Sequence, residues 1–180
     1  QAANVSVNTI FNYFKTKEEL FFDRADELEE ALSRIIAERR TGESAVDAMQ
    51  RYFREGVTGK TLLFHHSPRI ARFLATIDKS PALRARQMLI VEQSEKRLAE
   101  TLAKAAGKRR PDETARAAAA LLTALLWMLV QDFRARTLRG EPQTKARQAV
   151  RKLGERGLTL LRQGLGDYCT READKARSNR

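Results

Sequence analysis

The densest grouping of side chains suited to recognition chemistry lies at residues 5–20, VSVNTIFNYFKTKEEL. Ser6 can cap a helix that begins at Val7. Val7, Asn8, Thr9 and Asn12 then sit near its N-terminal end as short, mostly polar groups. Short side chains let a helix enter a DNA major groove, about 12 Å wide, and meet base edges. Ile10 and Phe14, four apart, fall on the opposite face and can anchor the helix to a small core. The Thr16-x-x-Glu19 pattern has the form of a capping box, so a second helix is expected from Lys17. Backbone N–H groups at that start, with Lys15 and Lys17 beside them, suit a phosphate. The chemistry on offer is binding to double-stranded DNA.

Other chemistries find little support. His65 and His66 are adjacent, so on a helix they point about 100° apart and chelate poorly, and no third His or cysteine cluster completes a metal site. There is no glycine-rich phosphate loop, no Cys/His pair near a nucleophile and no matched carboxylate pair. No enzymatic activity, metal or cofactor is expected. One cysteine, Cys169, excludes an intrachain disulfide framework, and no secretory leader pattern is present, so a reduced cytoplasmic setting is the expectation. The longest apolar run, Ala117 to Val130, is shorter than the roughly 20 residues that span a bilayer, so it reads as a core helix and no membrane partner is expected.

The elements that must position the reading residues are all helical. No sustained period-two pattern occurs. Pro68, Pro81, Pro111 and Pro142 each resemble a helix start, with Ser67 and Ser80 as caps before the first two and Asp112 and Glu113 in a first turn. Gly107 and Gly140 sit where helices should stop. These signals predict helices at 6–13, 17–39, 43–58, 68–78, 81–106, 111–138 and 142–166. The helix from Lys17 carries Phe21, Ala25, Leu28, Leu32 and Ile35 on one face, a stripe of period 3.6. The polar tail from Asp167 is expected to fray.

Charge divides unevenly. The chain of 180 residues carries +11, yet residues 1–60 hold 9 Lys/Arg against 11 Asp/Glu and residues 61–180 hold 25 against 12. The basic excess therefore lies outside the reading segment and reads first as a solvated Arg-rich surface. With 42% hydrophobic residues the chain can bury a real core.

Residues 5–20 resemble the DNA-binding signature of the TetR family of bacterial transcriptional regulators. Thr9-Ile10-Phe11-Asn12-Tyr13-Phe14 and Lys17-Glu18-Glu19-Leu20 match that signature in order and spacing. The resemblance implies an all-α, TetR-like architecture. A partial helix-turn-helix domain with its connecting helix would occupy 1–40, a helical ligand-binding and dimerisation domain 41–168, and a polar tail 169–180. Val7, Asn8 and Asn12 would face base edges, while Ser6, Thr9, Tyr13 and Lys17 would contact phosphates. Phe11 departs from the tyrosine found in many members and lacks a hydroxyl for phosphate. Members carry a first helix and most of a second ahead of this point, so Gln1 to Asn4 are expected to be the last turn of that second helix in a truncated chain. A chain starting at Gln1 is then expected to bind DNA poorly.

The implied function is a homodimeric, ligand-responsive repressor released from a palindromic operator by a small-molecule effector. Tyr52, Phe53, Phe64, His65, Phe73, Met88 and Trp127 are the candidate lining of an effector pocket, with Gln93 and Gln131 as groups able to orient a ligand. The last two long helices are the implied dimer contact. The last helix carries Ala146, Val150, Leu153, Gly157, Leu160 and Leu161 as a stripe, and Leu122, Val150, Leu153, Gly157 and Leu161 are the candidate interface. Gly154, Gly157 and Gly164 each lower helix propensity by about 1 kcal/mol, which suggests close approach of a partner backbone or packing within the chain. The alternative function is a helical adaptor, or a TetR-like protein without DNA binding.

Overall fold

The computed structural model describes residues 16–22, 25–60, 64, 67–165 and 170. Among them every regular element is a helix: α1 Lys17–Phe21, α2 Ala25–Ala37, α3 Ala45–Glu55 running into a π-helical turn at Gly56–Lys60, α4 Pro68–Lys79, α5 Pro81–Ala105, α6 Glu113–Leu138 and α7 Gln143–Leu165. The chain is all-α.

Local chemistry explains most of the boundaries. Ser67 Oγ accepts from the Ile70 N–H at 3.2 Å and Ser80 Oγ from the Leu83 N–H at 3.3 Å, each just ahead of a proline at the first helical position. Ser80 also donates its backbone N–H to Ile77 O at 3.1 Å, so one residue closes α4 and opens α5. Gly107 and Gly140 take φ of 72° and 78°, and the N–H of the following residue bonds back to Ala103 O and Arg136 O, which satisfies carbonyls left open by the last turn. Pro111 does not open α6 as expected. Asp112 is the cap, its carboxylate accepting from the Ala115 N–H at 2.9 Å. At α3, Ser44 and Asp47 exchange side-chain and backbone bonds in a complete capping box.

The expected single helix over 17–39 is divided. α1 ends at Phe21, and Phe22 leaves helical geometry at φ −105°, ψ 46°. The rings of Phe21 and Phe22 both meet Phe73 of α4, at centroid separations of 4.6 and 6.0 Å.

Five helices close a ring in the order α2, α5, α6, α7, α3 and back to α2, with the most extensive packing between α2 and α5. The main core fills that ring: Leu32 and Ile36 from α2, Met49 and Phe53 from α3, Leu98 and Leu102 from α5, Ala118, Ala119, Leu122 and Leu129 from α6, and Val150 and Leu158 from α7. α2 thus shares one core with the helices beyond residue 41. A second core of Phe22, Ile77, Leu83 and Ile90, flanked by Phe21 and Leu74, fastens α1 and α4 to the first half of α5. α6 is the one described helix long and apolar enough to cross a membrane, and it is packed between α5 and α7.

Candidate functional site

Of the expected DNA-reading residues, Ser6, Val7, Asn8, Thr9, Asn12, Tyr13 and Lys15 lie outside the described residues. Lys17 opens α1. Thr16 caps it from an extended conformation (φ −137°, ψ 158°), its hydroxyl accepting from the Glu19 N–H at 3.1 Å. The helix start expected from the Thr16-x-x-Glu19 spacing is therefore formed. The end of α1 is held firmly: Phe21 stacks face to face on Phe73 with 6° between the rings, and Phe22 is buried in the second core.

α4, which carries Phe73, is also tied to α6 near its other end. Arg134, buried on α6, forms an ion pair with Asp78 of α4 and donates from Nη2 to Leu74 O at 2.9 Å. Nothing local in the sequence marks this link, because the partners stand 56 and 60 residues apart and each alone looks like a surface charge or an ordinary helix residue.

The candidate effector lining does not converge. Phe53 and Phe64 are fully buried, and Phe64 makes edge-to-face contacts with both Phe53 and Phe133 at 5.7 Å, so these rings fill the core instead of walling a cavity. Tyr52 is half-buried against the same core, and burial raises its hydroxyl pKa, with Arg34 opposing that shift. Phe73 and Met88 belong to α4 and α5 and are 38% and 52% exposed. Trp127 is half-buried on α6, Gln131 likewise, and Gln93 is exposed. His65 lies outside the described residues. Phe53 and Phe64 are therefore taken up by the core of the ring, whereas Phe73 and Met88 lie at the surface. Among the described residues, no group of three His, Cys, Asp or Glu side chains is placed to hold a metal ion.

The candidate dimer residues divide between buried and half-buried positions. Leu122 and Val150 are buried inside the chain's own core, and Leu153 and Leu161 pack against it. Gly157 faces Leu125 of α6, whose Cδ1 would lie 2.5 Å from an added Cβ, and Gly154 faces the Phe53 ring. Gly154 and Gly157 thus admit side chains of the same protomer, and nothing lies within 4 Å of a Cβ added at Gly164. A periodic stripe reports that a face is buried without saying against which chain. The apolar side chains that α6 does expose are different: Leu121, Met128 and Leu138. Sequence reading missed them because the run Ala117 to Val130 is apolar on every face, so its core side could not be told from its outer side.

Two open depressions, of about 470 and 380 Å³, are polar. The larger is lined by Arg40, Glu43, Asp47, Gln50, Arg51, Arg54 and Glu55. Its charges largely satisfy one another: Arg51 forks onto Glu43 with bonds of 2.9 and 3.1 Å, and Arg162 of α7 pairs with Asp47 and donates to Gln50 Oε1 at 2.7 Å. The Arg51 hydrogen bonds hold the Glu43 carboxyl below its ordinary pKa, against a smaller opposing effect of burial. A carboxylate pKa lowered by folding stabilises the protein above the unfolded value, about 4.3, and that contribution is lost as pH falls through the lower folded value. Glu43→Gln should therefore lower stability by about 1.5 kcal/mol at pH 7, and the gap to the parent should shrink steadily towards pH 3. Urea titrations at both pH values check this, and a gap that is unchanged by acid would remove the ion pair as its cause.

No protein-family description, curated protein or solved structure matches the chain.

Proposed function

We propose that this chain is a ligand-responsive DNA-binding transcriptional regulator of the TetR type, working as a homodimer in the bacterial cytoplasm and repressing until a small molecule releases it. The observation that supports this most directly is the continuity of the reading string with a capped helix. Thr9 to Phe14 supplies the short helix pattern, and Thr16 starts the next helix at Lys17, where the family signature requires one. The two reading helices of a dimer would meet half-sites about one helical turn of DNA apart, or a multiple of it. Release requires that the effector favour a conformation the operator does not, so effector and DNA must weaken each other reciprocally.

The route for that coupling runs from α1 through the Phe21–Phe73 stack to α4, and from α4 through Arg134 to α6. The alternative, an adaptor that has lost DNA binding, draws on the acidic balance of residues 1–60 and on Phe11.

Capture of genomic DNA fragments by the full-length protein, including the helices expected ahead of Gln1, followed by a salt titration on the best site, tests the proposal. The expected result is a palindromic site whose log–log salt slope is steep, and Lys17→Ala should reduce that slope by about 1. Weak binding without sequence preference would establish the adaptor reading instead.

A further inference from the structure

The basic excess of the chain is concentrated in two stretches. Residues 68–90 hold 5 Lys/Arg against 1 Asp/Glu and residues 131–152 hold 7 against 2, so these 45 residues carry +9. The rest of 61–180 holds 13 against 9. Though distant in sequence, the two stretches meet in the fold. The first is α4 with the opening of α5, and the second is the end of α6, its turn and the opening of α7. Short connections make α5, α6 and α7 successive antiparallel neighbours. The start of α5, the end of α6 and the start of α7 therefore share one end of the ring. Arg134 of α6 fastens α4 there through Asp78 and Leu74 O, and Arg147 of α7 donates from Nε to Phe64 O, just ahead of α4, at 3.1 Å. The same end carries α1, held by the second core and the Phe21–Phe73 stack.

The charge at this end is unbalanced as well as concentrated. All three of its carboxylates are taken: Asp78 by Arg134, and Asp132 and Glu141 by Arg136. Arg72, Lys79, Arg84, Arg139, Lys145 and Lys152 are exposed and form no ion pair among the described residues. Elsewhere the two signs are interleaved, with Lys96 on Glu92, Arg97 on Glu30 and Lys108 on Asp112. Like charges gathered at one end repel one another. A polyanion relieves that repulsion and gains by shedding its own condensed counterions.

Two observations select the polyanion. The positive groups come from four helices and make a broad end, suited to phosphates spaced along a backbone. A bilayer would instead take the apolar side of an amphipathic helix, and the apolar sides of α4 and α5 close on each other through Ile77, Leu83 and Ile90. The second observation is position: α1, which continues the reading string, is fastened to this very end.

We propose that this end of the helical ring is a second contact for duplex DNA, one that grips phosphates without reading bases. The proposal rests on the DNA-binding part of the function proposed above and adds a surface outside the reading string.

The test compares two triple variants of the full-length protein. One is Arg139→Gln, Lys145→Gln, Lys152→Gln. The other, Lys104→Gln, Arg109→Gln, Arg110→Gln, removes the same charge around the α5–α6 turn, at the opposite end of the ring. All six side chains are exposed, so both variants keep the core. Each is titrated with salt on a random duplex of roughly 30 base pairs and on the best captured site. The first variant should lower the log–log slope by about 2–3 on both duplexes and weaken both by the same factor, at least tenfold at about 100 mM salt, so that site preference is unchanged. The second should leave the slope as it was. Equal losses from the two variants, or no loss from the first, would overturn this surface, and the regulator reading would stand wherever the site is still preferred. Binding without site preference that still depends on the first three groups would uphold this surface and remove the regulator reading. No duplex binding at about 50 mM salt would overturn both, and tighter binding to anionic lipid vesicles than to duplex would overturn duplex DNA as the occupant.

Discussion

Gly154→Ala should destabilise the protein by about 1–3 kcal/mol, although alanine is the better helix former by about 1 kcal/mol. A Cβ at this position would lie less than 3 Å from three carbons of the Phe53 ring. Phe53 cannot retreat: it is 1% exposed and set edge-on against Phe64, which is itself set edge-on against Phe133. Two other glycines of α7 act as controls on the same helix. At Gly157 the new methyl group meets only the tip of the half-buried Leu125 side chain, which can turn aside, so Gly157→Ala should be close to neutral. At Gly164 nothing lies within 4 Å, and Gly164→Ala should stabilise by roughly 0.5–1 kcal/mol through propensity alone. Urea midpoints at constant slope rank the three. If Gly154→Ala stabilised like Gly164→Ala, the close seating of α7 on Phe53 would be wrong.

These glycines also show where sequence reading stops. Helix ends were legible because their causes are local: a serine before a proline, or a glycine after the last turn, acts on its own few residues. α4, α5 and α6 begin and end within one or two residues of expectation for that reason. The split between α1 and α2 was not legible, since no proline or glycine marks it and the residue that both Phe21 and Phe22 meet, Phe73, lies some fifty residues further on. The assignment of faces was less legible still. Val150, Leu153 and Leu161 form a clear apolar stripe, of which Val150 is buried in the protomer's own core and Leu153 and Leu161 are half-buried against it. In α6 the apolar run Ala117 to Val130 left the core side indistinguishable from the outer side. Phe53 and Phe64 illustrate the same limit for the effector: an aromatic group is needed by a core as much as by a pocket, and only packing distinguishes the two uses.

Arg134→Ala should lower stability by about 2–4 kcal/mol and loosen one helix in particular. The guanidinium is 7% exposed and is held by Asp78 and by Leu74 O, both on α4. Removing it vacates core volume and strips a carbonyl of its donor, and both losses carry a cost. Asp78 is half exposed, so water replaces part of what it gives. Asp78→Ala should nevertheless cost about 1–2 kcal/mol, because it leaves a buried cation short of its counter-charge. Arg134→Met separates volume from charge: it refills much of the space without the ion pair and should recover about half of the alanine deficit. Outside the ring, α4 is fastened by the small second core and by this arginine. Amide exchange in residues 68–79 of Arg134→Ala should therefore accelerate more than in α2, α5 or α7. Uniform acceleration throughout the chain would instead make Arg134 a general core residue. A selective effect has a consequence for α1, because Phe73 rides on α4 and stacks on Phe21, five residues beyond the Thr16 cap. Loosening α4 then loosens the helix start beside the reading string. In a DNA-binding protein the same substitution would weaken specific binding without touching a phosphate contact, leaving the salt slope unchanged while the affinity falls.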